Sequence, residues 1–258
     1  MILCDYHVHT TFCDGKNTAE EMVEASLALG MTELGFSSHA YQSFDPDYCM
    51  SKERSVLYRR EIVRLKEKYA GKIKIYLGVE KDLFSDEDTE GLDYVIGSTH
   101  YFHFGDEYPA VDAGADVLAD AIERHFAGDA LAMCEAYFEN ASKIGETLHP
   151  TIVGHFDLVT KYNRGGRFFD ESDPRYVAAW KMAADKLLET CRLFEINTGG
   201  MFRAGCTRPY PSEEIISYIK ARGGRFILSS DSHSASTLCG HFDRYRHLAD
   251  VDKLTLVI

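Results

Sequence analysis

Short apolar runs alternate along the chain with longer stretches whose apolar residues recur every three to four positions. That alternation predicts strands separated by helices. Strands are expected over Ile2–Val8, Glu33–Ser37, Lys72–Val79, Asp93–Ser98, Thr151–Gly154, Leu193–Ile196 and Arg225–Ser229. Helical patterns cover Thr18–Leu29, Ser51–Ala70, Ala115–Gly145, Pro174–Cys191 and Pro211–Arg222. Their ends carry suitable chemistry: Thr18 with Glu21 forms a capping box, Ser51 is a second cap, and Pro174 stands where a missing N–H costs nothing. Gly30, Gly71 and Gly223 stop the helices before them. The apolar tail Leu254–Ile258 is expected to cover one end of the fold.

Seven strands alternating with helices predict a parallel α/β fold, either a barrel or an open doubly wound sheet. An open sheet would usually carry a Gly-rich phosphate loop after its first strand. Here the first strand runs into HVHTTF, which favours a closed or distorted (β/α) barrel. No linker, repeat or charge block divides the 258 residues.

Composition narrows the partners. Lys plus Arg number 28 against 41 Asp plus Glu, a formal charge of −13 that argues against a general nucleic-acid binder but permits one small anionic substrate. No apolar run approaches the roughly 18 residues of a membrane span, and the N-terminus lacks the basic and apolar regions of a secretory signal. Seven cysteines, an odd number with no CxxC pair, predict reduced thiols in a cytoplasmic protein.

The ends of the expected strands carry the telling residues. Strand one ends in His7 and His9 with Asp14 close behind, strand two in His39, strand three in Glu80, and strand four in His100. Strand five ends in His155 with Asp157 beside it, and strand seven in Asp231 and His233. In a parallel barrel these ends converge on one face, where active sites are built. Residues i and i+2 of a strand share a face, so His7 with His9, and Asp231 with His233, can each grip one cation. Imidazoles and carboxylates suit zinc, manganese and iron; His7, His9, Asp14, His39, Glu80, His100, His155, Asp231 and His233 are too many for one ion and reasonable for two or three. Asp157 is expected to hold a ligand imidazole by its second nitrogen. His103, His125, His149, His241 and His247 fit no such pattern.

Together DYHVHTTFCDG, GFSSH, LGVEKD, GSTHY, VGHFDL and SSDSH resemble, in order and over nearly the whole chain, the polymerase-and-histidinol-phosphatase (PHP) superfamily. The resemblance implies a distorted (β/α)7 barrel, one PHP domain over residues 1–258, and a trinuclear centre. It assigns a first ion to His7, His9, Glu80 and Asp231, a second to Glu80, His100 and His155, and a third to Asp14, His39 and His233. Asp14 stands where other members have an imidazole, and supplies a hard-metal ligand. Glu80, Asp231 and His233 take the catalytic part of this set, with a hydroxide bridging the first two ions as nucleophile. The short chain and the EINTGGMFR segment resemble the histidinol-phosphate phosphatase branch. That branch implies hydrolysis of L-histidinol phosphate in histidine biosynthesis. Arg164 and Arg203 are the expected phosphate anchors, with Lys161 a weaker third. The aromatic and acidic loops Ala40–Met50 and Tyr101–Gly114 are candidates for the substrate's amine and imidazole.

Rivals on the same residues are a phosphoesterase for another small ester, nucleotide or short oligonucleotide, a related amidohydrolase, and a non-catalytic metal-binding module. An amidohydrolase would usually carry a metal-bridging lysine at a strand end, and no lysine here sits at a strand end in that role.

Overall fold

A computed structural model describes residues 3–203 and 205–255, with the side chain of Arg203 outside the described part. Seven parallel strands follow one another around a sheet in chain order: β1 (Cys4–Asp5), β2 (Glu33–Phe36), β3 (Lys74–Asp82), β4 (Tyr94–Ser98), β5 (Ile152–Val153), β6 (Leu193–Asn197) and β7 (Arg225–Ser229). Every expected strand is present, though β1 and β5 are shorter than their apolar runs. Helices α1 (Ala19–Ala28), α2 (Lys52–Lys68), α3 (Ala115–Phe126), α4 (Ala130–Leu148), α5 (Pro174–Leu188), α6 (Gly200–Arg203) and α7 (Glu213–Lys220) occupy the connections, and α8 (Phe242–Tyr245) follows β7.

The Thr18–Glu21 capping box opens α1, and the side chains of Ser51, Asp173 and Ser212 cap α2, α5 and α7. The single helical region expected over Ala115–Gly145 is two helices. Ala127 and Gly128 take positive φ, of 53° and 80°, and the Asp129 carboxylate then accepts the N–H groups of Leu131 and Ala132 to start α4. A left-handed turn followed by an N-cap ends one helix and begins the next.

The segments that follow β1 and β7 meet and bring the two edges of the sheet together. Val8 and Ser232 form a parallel bridge, with His9 N donating to Ser232 O at 2.8 Å and Ser232 N to His7 O at 3.1 Å. Beneath it, fully buried Asp5 accepts hydrogen bonds from Ser230 N and Cys239 N, each at 3.1 Å, and from the Ser230 hydroxyl. Asp5→Ala would strand these donors in a dry interior. It is expected to cost about 3 kcal/mol of stability, read as a lowered urea midpoint; an unmoved midpoint would show that the seam does not depend on Asp5.

The floor of the barrel is plugged by aromatic rings. The Tyr94 hydroxyl shares its one proton between the carbonyls of Tyr6 and Phe36, at 2.6 and 2.9 Å. A Cβ at Gly78 would lie 2.5 Å from the Tyr94 ring, so this position needs glycine. Leu254 of the tail is buried against the same cluster, as expected, and residues 256–258 lie outside the described part. Larger cores pack α1 and α2 on one flank, and α3, α4, α5 and α7 on the other. With the floor filled, the open end is the one where the strands finish.

Candidate metal centre

Nine donor residues gather at that end. On β1's continuation the two-residue period turns His7 and His9 to the same side, with ring centroids 5.2 Å apart and neither ring exposed. Glu80, from the end of β3, is the hub. Its Oε2 lies 2.9 Å from His39 Nδ1, 3.2 Å from His7 Nε2 and 3.5 Å from His9 Nε2. Its Oε1 lies 2.8 Å from His155 Nε2 and 3.3 Å from His100 Nε2, and accepts the Ser98 hydroxyl at 2.7 Å. Asp231 Oδ1 is 3.3 Å from His9 Nε2, and Asp14 reaches His233 Nε2 at 3.1 Å and His39 Nε2 at 3.7 Å. Asp231 holds φ at 51°, a left-handed conformation that Asp tolerates better than most non-glycine residues.

Among the described residues, three sets present donor atoms close enough to share a cation: His9, Asp14, His39 and His233; His7, His9 and Glu80; and His39, Glu80 and His100. These partition the donors differently from the expected grouping. His9 and His39 each serve two sets, while His155 and Asp231 join through their contacts to Glu80 and His9. Buried polar atoms normally find partners. Here His7 Nε2, His9 Nε2, Glu80 Oε2 and Asp14 Oδ1 are buried without a hydrogen bond, all turned into this cluster. Mixed imidazole and carboxylate donors, orphaned toward a common centre, fit divalent ions.

The electrostatics agree. Burial opposes charge on Glu80, yet His7, His100 and His39 around it hold its carboxyl well below the ordinary range. Burial likewise opposes charge on His7, but Glu195, Glu80 and Asp231 raise it well above an ordinary imidazole. His9 goes the other way: burial, then His233 and His39, push it well down, leaving a neutral ring. Such a field draws positive charge, whether protons or metal ions.

Sequence reasoning missed Glu195 and left Asn197 unassigned. Fully buried in the middle of β6, Glu195 places Oε2 2.8 Å from His7 Nδ1, and its Oε1 accepts His155 N at 2.5 Å and Asn197 Nδ2 at 2.8 Å. Asn197 also donates to Asp231 Oδ2 at 3.2 Å. The two-residue spacing that marked His7 and His9 also marks Glu195 and Asn197 as inward-facing. His100 has a similar support, since Asp82 Oδ2 accepts its backbone N–H at 2.7 Å.

Asp157 does not hold a ligand imidazole. It is buried against Arg208 Nη1 at 2.9 Å and accepts Ser212 N at 3.1 Å, which turns it away from His155 toward the loop after β6. Arg208 continues to Glu171 at 2.9 Å. Of the expected anchors, Arg164 is exposed in the loop after β5 and does not line the cavity, and the Arg203 side chain lies outside the described residues. The cavity over the donors, 340 Å³, instead takes its cations from Lys16 and Lys161. Lys161 pairs with Asp112 at 3.0 Å. Burial works against the Asp112 charge, but Lys161 and His100 hold its carboxyl at about 2. His103, His125, His149, His241 and His247 join none of the three donor sets.

A seven-stranded (β/α) barrel with a polynuclear donor set at its strand ends defines the class of protein. The PHP domain family model matches residues 5–199, and the chain belongs to that family. Asp231 and His233 fall beyond the matched stretch, yet the barrel brings them to the same cluster. A Deinococcus radiodurans protein named "Probable histidinol-phosphatase" is 29% identical over 270 residues, covering 98% of this chain and 95% of that one. A solved structure from Listeria monocytogenes matches with a TM-score of 0.80 at 21% identity, over 94% of this chain and 99% of that one, a likeness of fold. The structure of histidinol phosphate phosphatase from Lactococcus lactis, complexed with zinc, L-histidinol and phosphate, matches with a TM-score of 0.69 at 21% identity, over 98% of this chain and 94% of that one. Among the described residues, no helix is long and apolar enough to cross a membrane.

Proposed function

We propose that this chain is a metal-dependent phosphatase that hydrolyses L-histidinol phosphate to L-histidinol and inorganic phosphate, a step of histidine biosynthesis. One observation carries the chemistry: buried imidazole and carboxylate atoms without hydrogen-bond partners point into a common centre at the foot of an open cavity. The substrate rests on relatives named for this activity that align along nearly the whole chain. Residues 1–258 act as one unit in this reading. Seven free thiols support a reducing, cytoplasmic setting.

His7, His9, Asp14, His39, Glu80, His100, His155, Asp231 and His233 would hold two or three divalent ions of manganese, iron or zinc. When bound, such ions polarise the phosphoryl group and activate water near neutral pH. The chain's own residues do the rest. Glu195 fixes the His7 ring through Nδ1, which leaves Nε2 to face the centre. Asp82 steadies His100 by accepting its backbone N–H, and Asn197 steadies Asp231 by donating to Oδ2. Lys16 and Lys161, which line the cavity, would take up phosphoryl charge. Neither a Ser nor a Cys nucleophile is needed, so no covalent phosphoenzyme forms.

The test is phosphate release by manganese-loaded protein from L-histidinol phosphate, beside sugar, nucleotide and aryl phosphates. A kcat/KM for histidinol phosphate well above the panel is expected. A nucleotide winner, or weak activity spread evenly, would discard the named substrate and keep the metal phosphoesterase.

A further inference from the structure

The acids of the cavity wall have distinct employments. Asp14, Glu80 and Asp231 belong to the donor cluster, Asp82 supports His100, and Asp112 pairs with Lys161. Asp45 lines the same cavity and forms no ion pair among the described residues. It is nevertheless held in place. Its Oδ2 accepts the Tyr101 hydroxyl at 2.6 Å and its Oδ1 accepts Tyr48 N at 3.3 Å. Both tyrosines also line the cavity.

The mounting is rigid. Phe44 stacks on Tyr108 with centroids 3.7 Å apart and meets the Tyr101 ring edge-on at 5.0 Å. These contacts fasten the loop after β2 to the small hairpin after β4, where Tyr101 pairs with Ala110 and Phe104 with Glu107. Tyr101 follows His100 directly, so the Tyr101–Asp45 bond registers this carboxylate to the donor cluster through one peptide. A carboxylate oxygen has more than one lone pair, and those of Asp45 are not exhausted by one donor each. Fixed beside aromatic rings and without a protein cation, such a group suits an alkylammonium.

We infer that Asp45 is the specificity-determining residue of the cavity, pairing with the ammonium of an amino-alcohol phosphate whose phosphoryl end meets the donor cluster. The inference rests on the phosphatase reading above and adds where the substrate's amine goes. Tyr101 is a positioning residue that acts through Asp45.

Asp45→Asn keeps the shape and removes the charge. The measurement is a ratio: kcat/KM for L-histidinol phosphate over kcat/KM for its desamino analogue, in metal-loaded wild type and variant. That ratio is expected to fall by about 10- to 100-fold in Asp45→Asn, the range for losing one charge-assisted contact. The fall should sit mainly in KM for the amine-bearing ester. Tyr101→Phe should lower the same ratio by a smaller factor. Calorimetric binding of L-histidinol should weaken in parallel in Asp45→Asn, a readout independent of turnover. An unchanged ratio, whether both activities drop together or neither moves, overturns the assignment. Phosphoethanolamine set against ethylene glycol phosphate separates this inference from the substrate reading. If wild type ignores histidinol phosphate yet prefers phosphoethanolamine, and Asp45→Asn erases that preference, the named substrate falls and Asp45 stands. If wild type shows no preference for either amine-bearing ester, Asp45 has no such role.

Discussion

Glu80→Gln is expected to bring phosphate release to background, a loss of at least about a thousandfold, while the far-ultraviolet spectrum stays that of a folded barrel. Metal content after loading and desalting should fall with it. The two oxygens of Glu80 face five imidazoles within 3.5 Å. A carboxylate can serve ions on either side through its two oxygens; an amide offers one weak acceptor and turns an NH2 group toward rings that need an anion. The barrel should survive because its floor and flanking cores do not include this residue. Wild-type turnover by Glu80→Gln would remove the hub from the centre and with it the shared-ligand arrangement.

Glu195→Gln should act through metal affinity. Glu195 reaches the centre only by way of the His7 ring and the His155 backbone, and such outer partners are typically worth about 10- to 100-fold in metal binding or activity. A manganese titration of activity should shift to higher concentration by that factor, with turnover at saturating metal recovering substantially. Glu195→Ala should be harsher, because it also strands the buried His155 N–H and Asn197 amide. A titration curve that overlays wild type would show that Glu195 has no part in orienting His7.

The pattern of the chain exposed the barrel because a strand buried on both sides reads as a continuous apolar run, and each helix announces its cap. It exposed the donors because imidazoles at successive strand ends have few structural uses. Glu195 escaped notice since one acid in an apolar strand looks the same whether it supports a ligand or a floor contact. Glu33, which accepts the Tyr6 hydroxyl at 2.5 Å in the floor, is an acid of the second kind. The arginine expectation met a different difficulty. Loop charges have no periodicity, so Arg164 ranked above Lys161, three residues before it, while only the fold puts Lys161 against Asp112 in the cavity. Asp157 was misassigned because adjacency to His155 in the chain says nothing about which way a carboxylate turns after the strand has ended.

The seam between β1 and β7 joins the first strand to the last by a single bridge, in contrast to the five-residue ladders β3–β4 and β6–β7. Donors stand on both lips of that joint: His7 and His9 on one, Asp231 and His233 on the other. Ions held between them would therefore clasp the two termini of the barrel, and occupancy would become a component of folding free energy by simple mass action. A chelator then acts as a mild denaturant directed at one joint, with amide exchange quickening first around Val8 and Ser232. Starvation for metal would be felt by the cell as loss of the protein as well as loss of its turnover.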